Sequence, residues 1–169
     1  METHKTITIK TRRGVEILID DTTLDIIDGK AVFLRGASRG LYPAIMVDRK
    51  IKYLHRLVID APDGKNVDHI DGDRLNCTRA NLRLASYSEN ARNGRLRKNN
   101  SSGRKGVYWH RRDKKWRAQI VLNGKNIHLG YFVSIEEAAA AYDAAALEFH
   151  GDFALTNAEL IAMMQKDET

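Results

Sequence analysis

The dipeptide Asn123-Gly124 lies between two runs of alternating character, Trp116–Leu122 and Ile127–Tyr131, and constrains this chain more than any other feature. A two-residue type I′ hairpin needs positive φ at both central positions, and Asn-Gly supplies that at the least steric cost. A third run, Val107–His110, precedes it across a turn at Asp113-Lys114, so three antiparallel strands follow in order. Ser134 and Glu137 then form a capping box that opens a helix from about Ile135 to Phe149. Its face of Ala138, Ala141, Tyr142, Ala145 and Phe149 has helical spacing, and the small alanines let it approach a sheet closely. Gly151 suits the helix exit. Residues 106–157 therefore read as a three-stranded antiparallel sheet packed on one helix, with 158–169 as a tail.

At 169 residues the chain has room for one ordinary domain or two small ones, so this unit leaves space for a second. Polar, basic Asn93–Lys105, with two glycines and two serines, reads as a linker, placing its flexible part at 94–105 and a first domain at 1–93. That domain starts β-rich. Ile7, Ile9, Val15, Ile17 and Ile19 alternate with polar residues about Arg13-Gly14, and a short helical stretch follows at Thr22–Ile27. Strands are expected at Ala31–Arg35, Tyr42–Val47 and Lys52–Leu54, and His55–Ile59 leads into the Pro62-Asp63-Gly64 turn. Val67–Ile70 and Leu82–Ala85 read as two further strands around Asp71-Gly72-Asp73. Ser86 and Glu89 form another capping box, opening a helix from about Tyr87. The fold class is α+β.

Several function classes drop out. No run of ~18 apolar residues offers a membrane span, and Met1–Lys5 lacks the pattern of a secretory leader. The single Cys77 excludes an internal disulfide and any multi-cysteine zinc site, and cytoplasmic residence is expected. Charge is unevenly placed. Arg92–Arg117 holds eleven Lys/Arg against Asp113, a net of +10, so the remainder of this +6 chain sums to −4. A concentrated basic block beside an acidic helix points to a polyanion-binding face; a solvated linker is the alternative.

The sharpest chemical constellation is Asp68-His69 on one strand with Asn90 on the following helix. A compact strand–strand–helix unit can bring a carboxylate and an amide oxygen to a shared point with an imidazole adjacent. Such oxygens suit a hard cation, Mg²⁺ or Mn²⁺, better than zinc. Phosphodiester hydrolysis needs a base to activate water and a cation to stabilise the phosphate and the leaving oxygen, and these three residues supply both. Asp-His pairs also occur near turns for ordinary hydrogen bonding. His55 has two readings, chemistry or a structural histidine at a strand end.

The run Leu54-His55-Arg56-Leu57-Val58, then Val67-Asp68-His69-Ile70-Asp71-Gly72-Asp73, Asn76, Asn81-Leu82-Arg83 and Glu89-Asn90, resembles phage-type HNH endonucleases. Many of these are intron-encoded or free-standing homing enzymes. The match runs in order across roughly residues 50–93. It implies a ββα-metal fold in which His69 is the general base and Asp68 and Asn90 bind one divalent cation, Mg²⁺ or Mn²⁺. Asn81 takes the middle position, tying the loop back to the strand and holding the base. Asn90 stands where histidine is the alternative, and Cys77 replaces an asparagine common after Asn76. Arg83 and Arg92 are candidates for phosphate contact or for solvated charge.

On the C-terminal sheet, Trp116, Ala118 and Ile120 alternate with Arg117, Gln119 and Val121. The first set should pack on the alanine-rich helix, leaving the second exposed with Tyr108, His110, Asn126 and His128. Arg, Gln, Asn and His read base edges, and a sheet can enter the major groove. An ordinary polar outer face is the alternative. The segment 103–157 resembles the DNA-binding domain of plant ethylene response factors, the APETALA-two type. Gly106-Val107, Lys115-Trp116-Arg117-Ala118, Leu129-Gly130-Tyr131-Phe132, Glu136-Glu137-Ala138-Ala139 and Ala141-Tyr142-Asp143-Ala144-Ala145-Ala146 carry the likeness, with Gly151 and Asn157. It implies duplex DNA binding through positions matching Lys105, Tyr108, His110, Gln119, Val121, Asn126 and His128. Arg112 and Arg117 join them as candidates. Several arginines and a tryptophan usual there are replaced, so the plant target sequence does not carry over.

The combined expectation is a metal-dependent endonuclease that hydrolyses phosphodiester bonds in double-stranded DNA. One site cuts one strand, so a monomer, the favoured state, should nick site-selectively in the manner of a homing enzyme. A phage-encoded chain would act in the host cytoplasm. The alternatives are a non-catalytic, sequence-specific DNA-binding regulator and an RNA-directed protein. The second is disfavoured by the lack of clustered stacking aromatics on the exposed sheet.

Overall fold

A computed structural model describes residues 4–37, 40–94, 96 and 99–167. The chain divides into two compact units, 1–90 and 91–169. Among the described residues it is a mixed α/β protein whose strands form four small antiparallel sheets.

In the first unit, β1 (Thr6–Lys10) and β2 (Glu16–Asp20) form a hairpin. Helix α1 (Thr23–Ile27) follows. A meander of β3 (Phe33–Ala37), β4 (Gly40–Val47) and β5 (Lys50–Tyr53) runs directly into helix α2 (Leu54–Val58). Strands β6 (Asn66–His69) and β7 (Leu82–Ala85) pair, with Asp68 opposite Arg83 and His69 opposite Leu82. Helix α3 (Tyr87–Arg92) comes next. Its expected capping box is formed: the Glu89 N–H donates to Ser86 Oγ (3.2 Å), and the Ser86 N–H donates to Glu89 Oε2 (2.7 Å).

Alternation in β2 puts Ile17 and Ile19 inside, where they join Ile27, Val32, Ile45, Leu54, Val58, Cys77 and Leu82 in one core. Cys77 is buried, and burial pushes its thiol up to about 12, so it packs as a small apolar group. Arg56 clamps the loop after α2, donating to the carbonyls of Ala61 (3.1 Å), Pro62 (2.8 Å) and Lys65 (2.7 Å). His55 was expected at a strand end. It is instead the second residue of α2, because the chain enters the helix straight from Tyr53.

In the second unit, β8 (Val107–His110), β9 (Lys115–Leu122) and β10 (Lys125–Phe132) form a sheet with β9 in the middle. The hairpin residues Asn123 and Gly124 have φ of 50° and 76°, the values a type I′ turn requires. Helix α4 (Ile135–His150) lies on one sheet face, with Ala138, Ala139, Tyr142, Ala145 and Ala146 buried. Both halves of its capping box form, through Ser134 and Glu137. Of the span expected to be a linker, Arg95, Arg97 and Lys98 lie outside the described residues. Asn100, Ser102 and Arg104 form a hydrogen-bonded turn.

The expected tail at 158–169 is largely helix. Helix α5 (Asn157–Asp167) starts on a further capping box, Thr-x-x-Glu, in which Thr156 and Glu159 bond reciprocally (2.8 and 3.2 Å), and it docks through buried Leu160. Asn157, 2% exposed, is a hub. Its Oδ1 accepts the Lys105 N–H (2.6 Å), its Nδ2 donates to the Lys105 carbonyl (3.2 Å) and to Asp143 Oδ1 (2.9 Å), and its N–H reaches Asp143 (2.6 Å). Asn157→Ala strands several buried groups together and is expected to cost about 2–3 kcal/mol. The check is the urea midpoint of the full chain; an unshifted midpoint would show the hub to be dispensable.

Candidate active site and nucleic-acid interface

The first unit places Asp68 and His69 at the end of β6, 4% and 6% exposed. The loop leaving His69 is tied down by amide side chains. Asn81 Oδ1 accepts the Asp71 N–H (3.0 Å), and Asn81 Nδ2 donates to Asp71 Oδ1 and to the Asn76 carbonyl (both 2.9 Å). Asn76 Nδ2 donates to Asp71 Oδ2 (2.8 Å). The same loop is stitched to β2, since Leu18 N–H donates to Leu75 O (3.0 Å) and Cys77 N–H to Leu18 O (2.8 Å). His69 thus sits where a strand meets a loop with little freedom left.

His69 is walled by rings. His55 lies edge-on to it at 5.2 Å between centroids, and Tyr42 at 6.1 Å. Tyr42 and Tyr53 flank His55 at 5.1 and 5.8 Å, and the Arg74 guanidinium sits over Tyr42 at 5.1 Å. Burial pulls the His69 imidazole below its ordinary 6.5, outweighing the carboxylates of Asp71, Asp68 and Asp73 that push it up. Burial, helped by the charges of His69 and Arg56, takes His55 down to about 3. His55 Nδ1 is buried without a hydrogen-bond partner among the described residues.

His55 is therefore neutral in the folded chain, while an unfolded histidine gains a proton below about 6.5. Its share of the stability is complete above 6.5 and is lost as pH falls from there toward 3, by about 1.4 kcal/mol per pH unit. His55→Phe should flatten the acid limb of the stability profile. An unchanged slope between pH 6 and 4 would contradict this.

The remaining expected residues of this unit are placed differently from one another. Arg83, opposite Asp68, donates from Nε (2.9 Å) and Nη2 (2.7 Å) to Asp68 Oδ2, so it is an engaged ion-pair partner rather than a solvated charge. Asn90 lies on an exposed position of α3, its N–H bonded to the Ser86 carbonyl (3.0 Å). Neither the His55–His69 contact nor the Asp68–Arg83 pair is legible in sequence, because both depend on how β5–α2 and β6–β7 pack.

The second unit presents one sheet face away from α4. Cross-strand register puts Tyr108 and Tyr131 on either side of Arg117, His128 beside Gln119, and Asn126 beside Val121. Tyr108, Trp109, His110, Arg117 and Gln119 line an open hollow of ≈ 240 Å³. Tyr131 was not among the expected residues. The β10 register slips between His128 and Gly130, and that irregularity reverses the alternation, bringing Tyr131 to 4.7 Å from His128 and 5.1 Å from His110. Arg117 Nε is buried here without a hydrogen-bond partner among the described residues. His110 Nδ1 lies 3.2 Å from Asp113, and exposed Arg112 bonds the same carboxylate at 3.0 Å. Lys105 is less available. Its ammonium donates to the Arg92 carbonyl, and burial lowers it to about 8. The Arg92 side chain is half-buried.

These two constellations correspond to two known domains. An HNH endonuclease model matches residues 52–92, and an AP2 domain model matches residues 102–152. The chain therefore carries an HNH endonuclease segment followed by an AP2 domain, each matched over less than half of the chain's length. Protein 3.8 of Escherichia phage T7 is 39% identical over 93 residues, which is 55% of this chain and 76% of that protein. An uncharacterized HNH endonuclease of Acanthamoeba polyphaga mimivirus is 35% identical over 108 residues, 63% of this chain and 55% of that one. An AP2-like ethylene-responsive transcription factor of Arabidopsis thaliana is 45% identical over 58 residues, 33% of this chain and 12% of the factor. No helix among the described residues is long and apolar enough to cross a membrane.

Proposed function

We propose that this protein is a metal-dependent DNA endonuclease that nicks duplex DNA at sites selected by its C-terminal sheet. The observation that carries the reading is the buried Asp68-His69 pair, fixed at a strand end by the Asn81–Asp71 bonds and walled by His55 and Tyr42. His69, neutral at pH 7, is the general base that takes a proton from water. Asp68 and Asn90 would hold the cation. Among the described residues no group of three His, Cys, Asp or Glu side chains gathers to hold a metal. One carboxylate and one amide still fit a hard cation such as Mg²⁺ or Mn²⁺, which accepts oxygen ligands from phosphate and water. The cation would supply charge stabilisation at the phosphate. Asn81 acts indirectly, by holding the loop that follows the base.

A single set of these residues serves one strand at a time, so a monomer nicks, and a homing role is consistent with that. The sheet face of Tyr108, His110, Arg117, Gln119, Asn126 and His128 reads the major groove, and the exposed Arg112 meets phosphates. The division of labour follows the two compact units, the second continuing through helix α5, and for a phage-encoded chain the place of action is the host cytoplasm. Gln119→Ala is expected to relax base preference at one or two positions, at about 1–3 kcal/mol. Arg112→Ala should weaken all sequences alike and lower the salt slope by about 1. Binding selections across salt concentrations check this; identical effects from both variants would undo the assignment.

The deciding experiment is incubation of supercoiled plasmid carrying the native locus with the full chain, in Mg²⁺, in Mn²⁺ and in EDTA, beside His69→Ala. Metal-dependent open circle, lost in the variant while DNA binding persists, supports the endonuclease. Binding without cleavage under every metal condition supports a DNA-binding regulator instead.

A further inference from the structure

The Asp68 carboxylate is not presented to solvent as an open anion. Two N–H groups of Arg83 converge on its Oδ2, at 2.9 and 2.7 Å, and the two side chains are only 5% and 17% exposed. The register of β6 against β7 fixes the two residues as cross-strand neighbours, so the pair is built into the backbone rather than made by a wandering surface arginine. A carboxylate this buried would be costly without a counter-charge. A guanidinium and a divalent cation competing for the same carboxylate repel one another strongly at such separations.

We infer that Arg83 is a displaceable counter-ion of Asp68: it holds the carboxylate in place of a divalent cation and gives up Oδ2 when the cation arrives with DNA. The guanidinium fork released from Asp68 suits a phosphate oxygen pair, so the same residue gains a partner at the step in which it loses one. Arg83 is thus a positioning residue whose exchange of partners couples metal entry to DNA binding. Cation affinity is held down in the free protein and rises once a phosphate is present to receive the arginine. This inference rests on the endonuclease reading, and on Asp68 as a cation ligand within it.

The test is Mn²⁺ binding to the full chain without DNA, followed by the electron paramagnetic resonance signal of free Mn²⁺, for wild type, Arg83→Met, Arg83→Lys and Asp68→Asn. Removing the guanidinium should tighten Mn²⁺ binding about tenfold. Arg83→Lys, with a single ammonium in place of the fork, should fall between, and Asp68→Asn should abolish the tight binding. Duplex DNA should tighten Mn²⁺ binding in wild type and have less effect in Arg83→Met. A merely structural pair would leave cation affinity unchanged or weakened.

A folded Arg83→Met that binds Mn²⁺ no more tightly than wild type overturns the inference, and Arg83→Lys decides in the same way if the methionine variant does not fold. Plasmid nicking by wild type in the same buffer separates the two readings. Nicking with equal affinities removes only the role of Arg83. Neither nicking nor Mn²⁺ binding in the presence of DNA removes both.

Discussion

Single-turnover nicking by His69→Ala is expected to run 10²–10⁴-fold slower than wild type, about the factor a positioned general base contributes. DNA affinity should hold within roughly twofold, because the AP2 domain of the second unit is proposed to carry the base-reading contacts. The pH profile adds a sign. Burial lowers the folded pKa of His69 below 6.5, so its basic form is present throughout neutral pH. The wild-type rate should therefore be level near pH 7 and fall only on the acid side of 6.5. A bound cation beside Asp68 would push that limb lower still. An acid limb centred above 6.5, or a His69→Ala chain nicking at the wild-type rate, would remove His69 from the role of base.

Gly106→Ala is expected to unfold much of the second unit. Gly106 has φ of +72°, a region costing a non-glycine residue about 1–2 kcal/mol. Its carbonyl accepts the Gln119 N–H at 2.9 Å, which fixes the backbone where β8 begins. A Cβ built there would overlap the ring of Tyr142 and press to 2.6 Å on the Gln119 carbonyl oxygen. Tyr142 is 5% exposed and packs with Ile120 and Ala146, so the ring has no easy retreat. Strain and overpacking together reach about 3–5 kcal/mol, comparable with the whole stability of a small domain. Calorimetry of the full chain should show the transition of this unit lowered by 15 °C or more, on the order set by that energy. A shift under about 3 °C would mean that α4 can move aside freely.

The parts of the fold legible in sequence were those encoded locally. Asn123-Gly124 demanded its hairpin, and Ser134/Glu137 and Ser86/Glu89 marked two helix starts because capping chemistry needs only four consecutive residues. Thr156 and Glu159 carry the same signal. Helix α5, expected as a tail, begins on that signal and carries the apolar run Leu160-Ile161-Ala162-Met163-Met164, so it too is encoded locally. Tyr131 escaped because strict alternation assigns it to the side opposite His128, and only the irregularity in β10 overturns that parity. The partners of Asp68 and His69 were beyond sequence for a different reason. Arg83 meets Asp68 through a register set by the long β6–β7 loop, and His55 meets His69 only once α2 has folded back from β5.

The Asn157 hub defines the smallest portable form of the AP2 domain. Its two bonds to Lys105 close the entrance of β8, and its bonds to Asp143 anchor the middle of α4, so the segment that starts the module and the residue beyond its last predicted helix are one latch. A graft cut at the end of α4 would carry every side chain of the exposed sheet face and still leave the latch open. A graft extended through Leu160 would travel with its own closure, which makes exchange of such sheets between nucleases a question of where the cut is made rather than of which strands are moved.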